Sequence, residues 1–213
     1  MMVEAQFGDM FRAELRELLS WRRDVRHFKR DALPDGTFER LVEIACLAPS
    51  VGLSQPWRFV AVRSQSCRDA IRACFEDCNA EALRSQGPER AGLYARLKLA
   101  GLGDAPCQFA VFADRATIQG HGLGRRTMPA TIDYSAVMAI YTLWLAARAE
   151  GIGLGWVSIL DPAVIASVLD VPPTWTLIGY FCMGYPVESD TVPVLERAGW
   201  ETRRAIDSVL FVR

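Results

Sequence analysis

Histidine and lysine are scarce in this sequence of 213 residues, which has two of each. The histidines, His27 and His121, are too few for a histidine-rich zinc or non-haem iron centre, so no metal site is expected. Neither lies in the sequence context of a nucleophile elbow, which argues against a Ser-His-Asp hydrolase. The chain also lacks the G-x-x-x-x-G-K-[ST] pattern, which excludes a P-loop nucleotide-binding protein.

Excess charge and long apolar runs are missing too. The formal net charge is −1, whereas a general nucleic-acid binder would carry a basic excess. The uncharged apolar run at residues 134–147 is shorter than the ~20 residues of a membrane span. The first residues, with Glu4 and Asp9, lack the basic and then apolar order of a secretion signal. We therefore expect a cytoplasmic protein that binds neither nucleic acid nor membrane.

The composition is that of a globular domain. Hydrophobic residues make up 51% and charged residues 23% of the chain, as in typical soluble domains. No repeat, linker or change in composition divides the sequence, so we predict a single α+β domain over residues 1–213, with a small central sheet surrounded by helices. The six cysteines form no C-x-x-C pair and are predicted to be reduced thiols, most of them buried.

Hydrophobic periodicity and turn residues predict the individual elements. Helices are predicted over residues 9–20, 37–47, 66–84, 91–102, 131–150 and 162–169. The third of these is expected to begin at a capping box formed by Ser66 and Asp69. Strands are predicted over residues 57–63, 107–113, 156–159 and 175–183. Residues 115–130 are rich in glycine and arginine and are predicted to form a loop.

The helix predicted over residues 131–150 is apolar on nearly all sides, which is typical of a helix buried in a core or an interface. It is followed by Gly151-Ile152-Gly153-Leu154-Gly155. A dinucleotide-binding loop follows a strand and opens a helix, whereas this run follows a helix and opens a strand. We therefore interpret the glycines as a helix C-cap and a tight turn, and Asp161-Pro162 as the start of the next helix.

Arginine accounts for 22 of the 24 basic residues. Arg22 and Arg26 are four residues apart, so on a helix they would share one face and could clamp a phosphate. A solvated charged face is the alternative interpretation of this spacing. Asp24 lies between the two arginines, and cationic neighbours favour the ionised form of a carboxyl group.

A second candidate segment connects a predicted helix to a predicted strand. It reads Ala48-Pro49-Ser50-Val51-Gly52-Leu53-Ser54-Gln55-Pro56-Trp57. Small residues and two prolines make the backbone rigid, and its N–H groups could face a planar ligand. An ordinary helix-to-strand connection is the alternative.

These segments together resemble a known family. The motifs are R-R-D-V-R at 22–26, A-P-S-V-G at 48–52 with Q-P-W at 55–57, L-W-L-A-A-R-A-E-G at 143–151 and G-W-V-S-I at 155–159. They resemble the flavin-destructase branch of the nitroreductase superfamily over about residues 20–211, and Asp24 and the G-W-V-S motif point to that branch. The resemblance implies a nitroreductase-like α+β fold with a mostly antiparallel sheet, a homodimer, and FMN bound at the dimer interface.

The resemblance also implies a reaction in which reduced FMN is the substrate as well as the apparent cofactor. Dioxygen, as co-substrate, cleaves the isoalloxazine ring system to 5,6-dimethylbenzimidazole, the lower ligand of cobalamin, and erythrose 4-phosphate. A separate flavin reductase is the expected source of the reduced flavin. The alternatives are an NAD(P)H-dependent nitroreductase or flavin reductase on the same scaffold, and a non-catalytic FMN-binding protein.

Site residues follow from the resemblance motif by motif. Asp24 matches an acid/base residue and Ser158 a catalytically important serine, while the Gly52 amide would lie near bound oxygen. Arg22 and Arg26 match the contacts to the FMN phosphate and ribityl chain. The full set implied to bind the flavin is Arg22, Arg23, Asp24, Val25, Arg26, Pro49, Ser50, Gly52, Trp156, Val157, Ser158 and Arg203.

Overall fold

The computed structural model describes residues 6–97 and 101–213, and over these residues the chain has seven α-helices and four β-strands. The helices are α1 (Asp9–Trp21), α2 (Thr37–Ala45), α3 (Gln65–Arg84), α4 (Pro88–Arg96), α5 (Thr131–Ala149), α6 (Pro162–Val168) and α7 (Val194–Arg197). The strands are β1 (Trp57–Ala61), β2 (Cys107–Asp114), β3 (Gly153–Val157) and β4 (Trp175–Gly184).

The four strands form one antiparallel sheet in the order β1-β2-β4-β3. Alternate residues of the central strands point to opposite faces, as expected for a sheet covered on both sides. On β2, Phe109 and Val111 pack toward α5 and α2, whereas Ala110 and Phe112 pack toward the opposite face, where α3 and α6 contribute Ile71 and Ile165. The fold is therefore the predicted α+β arrangement of a central sheet between helices.

An extended segment continues the sheet beyond β3. Residues 22–28, which we call the arginine segment, leave α1 at Trp21 and run beside β3. Asp24 forms a parallel bridge with Leu154, and the Val25 N–H donates to the Leu154 carbonyl over 3.0 Å. The helical geometry predicted for Arg22 and Arg26 is therefore wrong, because α1 has ended before them. In an extended chain, residues 22, 24 and 26 instead share one side.

Two glycines of β3 allow the arginine segment to lie this close. A Cβ atom on Gly155 would stand less than 3.0 Å from the Val25 carbonyl oxygen, and one on Gly153 would stand 2.7 Å from the Val25 Cγ2. The prediction of a tight turn over 151–155 is thus wrong except at Gly151, whose φ of 75° ends α5. The strand runs over Gly153–Val157 rather than 156–159.

Phe28 anchors the end of the arginine segment. Its ring is 3% exposed and lies in a slot whose walls include three glycines. A Cβ on Gly101 would stand 2.6 Å from the ring atom Cδ2, and one on Gly184 would stand 3.3 Å from Cδ1. Gly155 closes the slot at 3.6 Å. The aromatic ring therefore occupies space that side chains at these positions would fill.

Other predicted elements are confirmed or corrected locally. Helix α5 and the Asp161 cap of α6 are confirmed, since the Asp161 carboxylate accepts from the Ala163 and Val164 N–H groups. Helix α3 begins one residue before the predicted start and is capped by Ser64 instead of Ser66. The helix predicted over 91–102 corresponds to α4, but α4 begins three residues earlier and ends at Arg96, so residues 97, 101 and 102 are not helical. Residues 98–100 of that prediction lie outside the described residues.

The cysteines are free thiols, as predicted, but only Cys74 and Cys182 are buried and Cys46 is exposed. Burial raises the pKa of the half-buried Cys107 thiol to about 11, which keeps it protonated. In the part of the chain that the structure describes, no helix combines the length and apolar character that crossing a membrane requires.

Candidate active site

Asp24 is the central carboxylate of the arginine segment. The Trp156 N–H donates to its Oδ1 over 2.9 Å, and Arg26 Nε donates to its Oδ2 over 3.1 Å. The side chain thus takes a backbone partner from β3 and a charged partner from its own segment. Both carboxylate oxygens are fixed, which orients the group toward the adjoining cavity.

The electrostatic balance at Asp24 differs from the sequence expectation. Burial raises the pKa of the Asp24 carboxyl group, and this effect outweighs the Trp156 N–H and the Arg26 and Arg22 charges, which lower it. The predicted effect of the cationic neighbours is confirmed, since Arg26 and Arg22 lower the pKa, but the sequence did not indicate the burial that outweighs it. The side chain keeps 36% of its surface accessible, but that surface faces a concave cavity in which protein atoms replace most of the bulk water.

Arg22 and Arg26 flank this carboxylate with unused hydrogen-bonding capacity. Arg22 Nε and Arg26 Nη1 are buried and have no hydrogen-bond partner among the described residues. The Arg26 side chain is only 10% exposed, and the Arg22 guanidinium lies 4.9 Å from the centre of the Trp144 ring. Buried charged donors without acceptors are costly, so this arrangement favours an anionic ligand.

Arg23 has a different role from its neighbours. Its Nε donates to the Thr191 carbonyl over 2.8 Å and its Nη1 to the Arg22 carbonyl over 2.6 Å. Burial and the nearby Arg203 and Arg22 charges lower the pKa of Arg23. Arg23 therefore ties the C-terminal part of the chain to the arginine segment, and Arg203 joins Arg22 and Arg26 around one cavity.

A neighbouring cavity, of about 270 Å³, includes residues that the sequence did not single out. Its lining from α5 and the C-terminal part of the chain includes Trp144, Arg148, Glu188, Asp190 and Arg197. Arg197 lies 3.6 Å from Glu188 and 3.4 Å from Asp190, which closes this wall. No local pattern in the sequence marks this wall, because the contact between its residues and the arginine segment is long-range.

Trp156 contacts the site through its backbone N–H, whereas Val157 and Ser158 do not line either cavity. The Trp156 ring packs 5.0 Å from Phe181 and 6.5 Å from Trp144, which fixes the backbone N–H that binds Asp24. Val157 is buried on the opposite face of the sheet. Ser158 is exposed just after β3, and the hydrogen bonds of the described residues include none from its side chain.

Pro49, Ser50 and Gly52 lie far from the arginine segment within one chain. Their loop precedes Trp57, which pairs with Ala113 on β2. Asp24 lies beside Leu154, which connects through Met183 of β4 to Cys107 on β2. Ala113 and Cys107, the β2 residues level with the loop and with Asp24, are six residues apart on that strand, a distance of about 20 Å. The structure thus brings together residues 22–26, Trp156 and Arg203, but not residues 49–55, which we call the Gly52 loop.

Metal-ligating side chains do not gather at this site. Across residues 6–97 and 101–213, no group of three or more His, Cys, Asp or Glu side chains is arranged to hold a metal ion. The charged groups that do gather here are the Asp24 carboxylate and the arginines around it, with Glu188 and Asp190 also in the cavity lining.

This fold and site define a family. The chain belongs to the nitroreductase family, whose model matches residues 19–185. A solved iodotyrosine deiodinase, bound to FMN and 3-iodo-L-tyrosine, superposes with a TM-score of 0.70 at 24% identity, over 83% of this chain and 91% of that one. At this identity the likeness concerns the fold.

Relatives that are closer in sequence share one particular name. The 5,6-dimethylbenzimidazole synthase of Rhodospirillum rubrum is 56% identical over 198 residues, which cover 93% of this chain and 94% of that protein. A protein of the same name from Rhodobacter capsulatus is 46% identical over 195 residues, covering 92% of this chain and 94% of the relative. The branch of the family indicated by the sequence motifs is confirmed by this similarity.

Proposed function

We propose that this chain is an enzyme that uses dioxygen to cleave reduced FMN, giving 5,6-dimethylbenzimidazole, the lower ligand of cobalamin, and erythrose 4-phosphate. The observation that carries the proposal is the Asp24 carboxyl group, with its raised pKa, oriented between arginines beside a cavity. The similarity to two proteins named 5,6-dimethylbenzimidazole synthase supports the same activity. FMN is then both bound group and substrate, and dioxygen is the co-substrate.

The charge and hydrogen-bonding capacity of the site fit FMN. The unpartnered nitrogens of Arg22 and Arg26 would be satisfied by a phosphate group, whose oxygens accept several charge-assisted hydrogen bonds. Arg203 adds a further positive charge to the same cavity. Arg23 donates to main-chain carbonyls, so it would support the phosphate site by holding the chain around it.

When bound, reduced FMN supplies the redox chemistry with dioxygen. The residues of the chain bind the flavin, orient it and hold protons near it. Burial moves the pKa of Asp24 toward neutral pH, which suits a group that gives and takes a proton. Ser158, two residues after Trp156 in sequence, is the proposed source of a hydroxyl group on the same side.

Arg26→Ala should weaken the binding of FMN much more than that of riboflavin, because only FMN carries the phosphate. The expected loss for FMN is on the order of 1.5–3 kcal/mol, typical of a hydrogen bond to a charged group. Isothermal titration with both flavins measures the difference. Arg30→Ala removes the same charge from an exposed pair with Asp104 and should leave both affinities unchanged. Equal losses for FMN and riboflavin in Arg26→Ala would mean that Arg26 is structural.

A homodimer would complete the site. In one chain the arginine segment and the Gly52 loop lie at opposite ends of the sheet, so a flavin contacted by both requires the loop of a second chain. Helix α5 offers a surface for this pairing: Tyr134, Val137, Met138 and Tyr141 are exposed and recur at helical spacing on one side. We propose that these stripes pack together, so that each flavin site takes residues from both subunits.

Light scattering at micromolar concentration should therefore give twice the 23.7 kDa mass of the chain. Obligate interfaces of this kind bury roughly 2,000 Å² or more, so a buried charge should disrupt this one. Met138→Glu is expected to give a monomer with weak FMN binding. Val164→Glu alters an exposed apolar side chain of α6, across the sheet from α5, and should stay dimeric. A monomeric wild-type chain that still binds FMN would contradict the shared site.

The reaction needs a supply of reduced flavin from outside this chain. We propose that a separate flavin reductase provides it, since the reaction consumes the flavin instead of recycling it. The six free thiols are typical of the reducing cytoplasm, and we propose that the enzyme acts there.

The activity can be tested directly. Purified protein is mixed anaerobically with excess reduced FMN, exposed to air, and analysed by mass spectrometry for 5,6-dimethylbenzimidazole. The proposal expects benzimidazole in amounts that exceed the enzyme. Oxidised FMN as the only flavin product, together with NAD(P)H oxidation in the presence of a nitroaromatic compound, would indicate a nitroreductase. Bound FMN without either reaction would indicate a flavin-binding protein.

A further inference from the structure

The Gly52 loop, residues 49–55, has a backbone conformation that its own sequence does not favour. Gly52, Leu53 and Gln55 all have left-handed φ angles, of 56°, 56° and 41°. For residues with side chains this region is unfavourable and persists only where the surrounding structure enforces it. Something outside the loop must therefore hold these residues in place.

The neighbouring residues 119–124, which we call the glycine brace, make the enforcing contacts. Gln119 Nε2 donates to the Leu53 carbonyl over 2.9 Å and to Gln55 Oε1 over 3.2 Å. Gly120 lies directly against Gly52: a Cβ on Gly120 would stand less than 3.0 Å from the Gly52 carbonyl oxygen. The contact is mutual, because a Cβ on Gly52 would meet the Gly120 carbonyl oxygen at 3.0 Å.

We infer that Gly120 is a positioning residue, whose lack of a side chain sets the place of the Gly52 backbone. The inference rests on the proposed function, in which the Gly52 loop faces the flavin. Ordinary Cβ contacts begin near 3.4 Å, so a methyl group at position 120 displaces Gly52 by on the order of 1 Å, an error that can lower a reaction rate roughly 10²-fold. None of the hydrogen bonds of the described residues is donated by the Gly52 N–H, so this amide is available to a ligand.

The brace contains its own matched control. Gly120 and Gly122 have nearly the same left-handed φ, 78° and 76°, so alanine is unfavourable at both positions for the same reason. A Cβ on Gly122, however, meets nothing nearer than Arg125 Nε at 3.8 Å. Any difference between Gly120→Ala and Gly122→Ala therefore reports the contact with Gly52 and not the left-handed backbone.

The experiment compares the wild type and both variants at saturating reduced FMN in air. Benzimidazole and hydrogen peroxide are both measured, because reduced flavin that reacts with dioxygen without ring cleavage gives oxidised flavin and peroxide. We expect Gly120→Ala to lower the benzimidazole yield 10-fold to 100-fold, with a matching rise in peroxide, and with an unchanged KM for FMN. Gly122→Ala, which has the backbone strain but not the contact with Gly52, should retain most of the wild-type yield.

Hydrogen exchange in the flavin-free protein gives a second readout that needs no activity. Amides of residues 49–55 should exchange faster in Gly120→Ala than in Gly122→Ala, because the loop loses its support. If the wild type makes no benzimidazole, the proposed function fails. The exchange rates still test whether Gly120 positions the Gly52 loop. Equal exchange and equal product yield in the two variants would overturn the inference.

A rescue experiment covers the case in which Gly120→Ala does not fold. A Cβ on Gly124 would stand 2.7 Å from Val51 Cγ2 in the Gly52 loop. Gly124→Ala, whose φ of 79° is also left-handed, should lower the benzimidazole yield more than Gly122→Ala does. Adding Val51→Ala should raise the yield of Gly124→Ala to that of Gly122→Ala combined with Val51→Ala, since the clash is gone and only the backbone strain remains. Failure of Val51→Ala to raise the yield of Gly124→Ala would also contradict the role of the brace.

Discussion

Asp24→Asn is expected to lower benzimidazole formation by roughly 10²-fold or more, the usual contribution of general acid–base catalysis, while FMN still binds. An amide can accept the hydrogen bond from the Trp156 N–H, but it neither gains nor loses a proton near neutral pH. Reduced flavin should still be reoxidised by air, so peroxide replaces benzimidazole as the product. The limb of the pH–rate profile that belongs to Asp24 should disappear with the carboxyl group.

The control for this change is Glu150→Gln. It converts a second arginine-paired carboxylate to an amide, because Glu150 pairs with Arg40 outside the cavity, and it should leave the product yield unchanged. Ser158→Ala is expected to separate binding from product formation in the same way as Asp24→Asn. Product formation at the wild-type rate by Asp24→Asn, with flavin saturating, would remove Asp24 from the mechanism and favour the nitroreductase alternative.

Gly155→Ala should abolish both FMN binding and product formation. The new methyl group would stand less than 3.0 Å from the Val25 carbonyl oxygen, and a backbone atom cannot rotate away as a side chain does. The arginine segment has to move off β3, which breaks the hydrogen bond between the Trp156 N–H and Asp24. We expect a fall of more than 10²-fold in product formation, since displacements of about 1 Å already have effects of that size.

Gly153→Ala separates this backbone clash from a side-chain clash. Its methyl group would meet the Val25 Cγ2 at 2.7 Å, so adding Val25→Ala should return Gly153→Ala to the level of Val25→Ala alone. The same addition should not rescue Gly155→Ala, whose clash is with the main chain. FMN titration and the benzimidazole assay measure all five variants, and rescue of Gly155→Ala would disprove the backbone explanation.

Helices that are determined by residues close together in the sequence could be predicted from it. Helix α5 follows from its apolar run, and α6 from the Asp161 cap with a proline at the first helical position. The course of β3 could not be predicted, because glycines ordinarily indicate a turn. Here Gly153 and Gly155 lack the side chains that would block the close approach of the arginine segment, which lies about 130 residues earlier in the sequence.

The candidate site also has parts that could be predicted from the sequence and parts that could not. The residue types of the arginine segment could be identified from sequence, and the alternation of Arg22, Asp24 and Arg26 was the signal for an extended chain that helical spacing obscured. The raised pKa of Asp24 depends on how much water the fold removes from it, which no local pattern reports. The walls formed by Glu188, Asp190 and Arg197 come from a segment whose position depends on long-range contacts.

The slot around Phe28 constrains how this sequence can change over evolutionary time. A side chain at position 101 would overlap the Phe28 ring, so alanine there would destabilise the protein while the ring is present. Loss of the ring first would leave a cavity, at a cost of about 3–5 kcal/mol for an aromatic residue truncated to alanine. Whichever of the two substitutions comes first, the resulting single variant is destabilised. The two positions are therefore epistatic, and drift at one of them is blocked by the residue at the other.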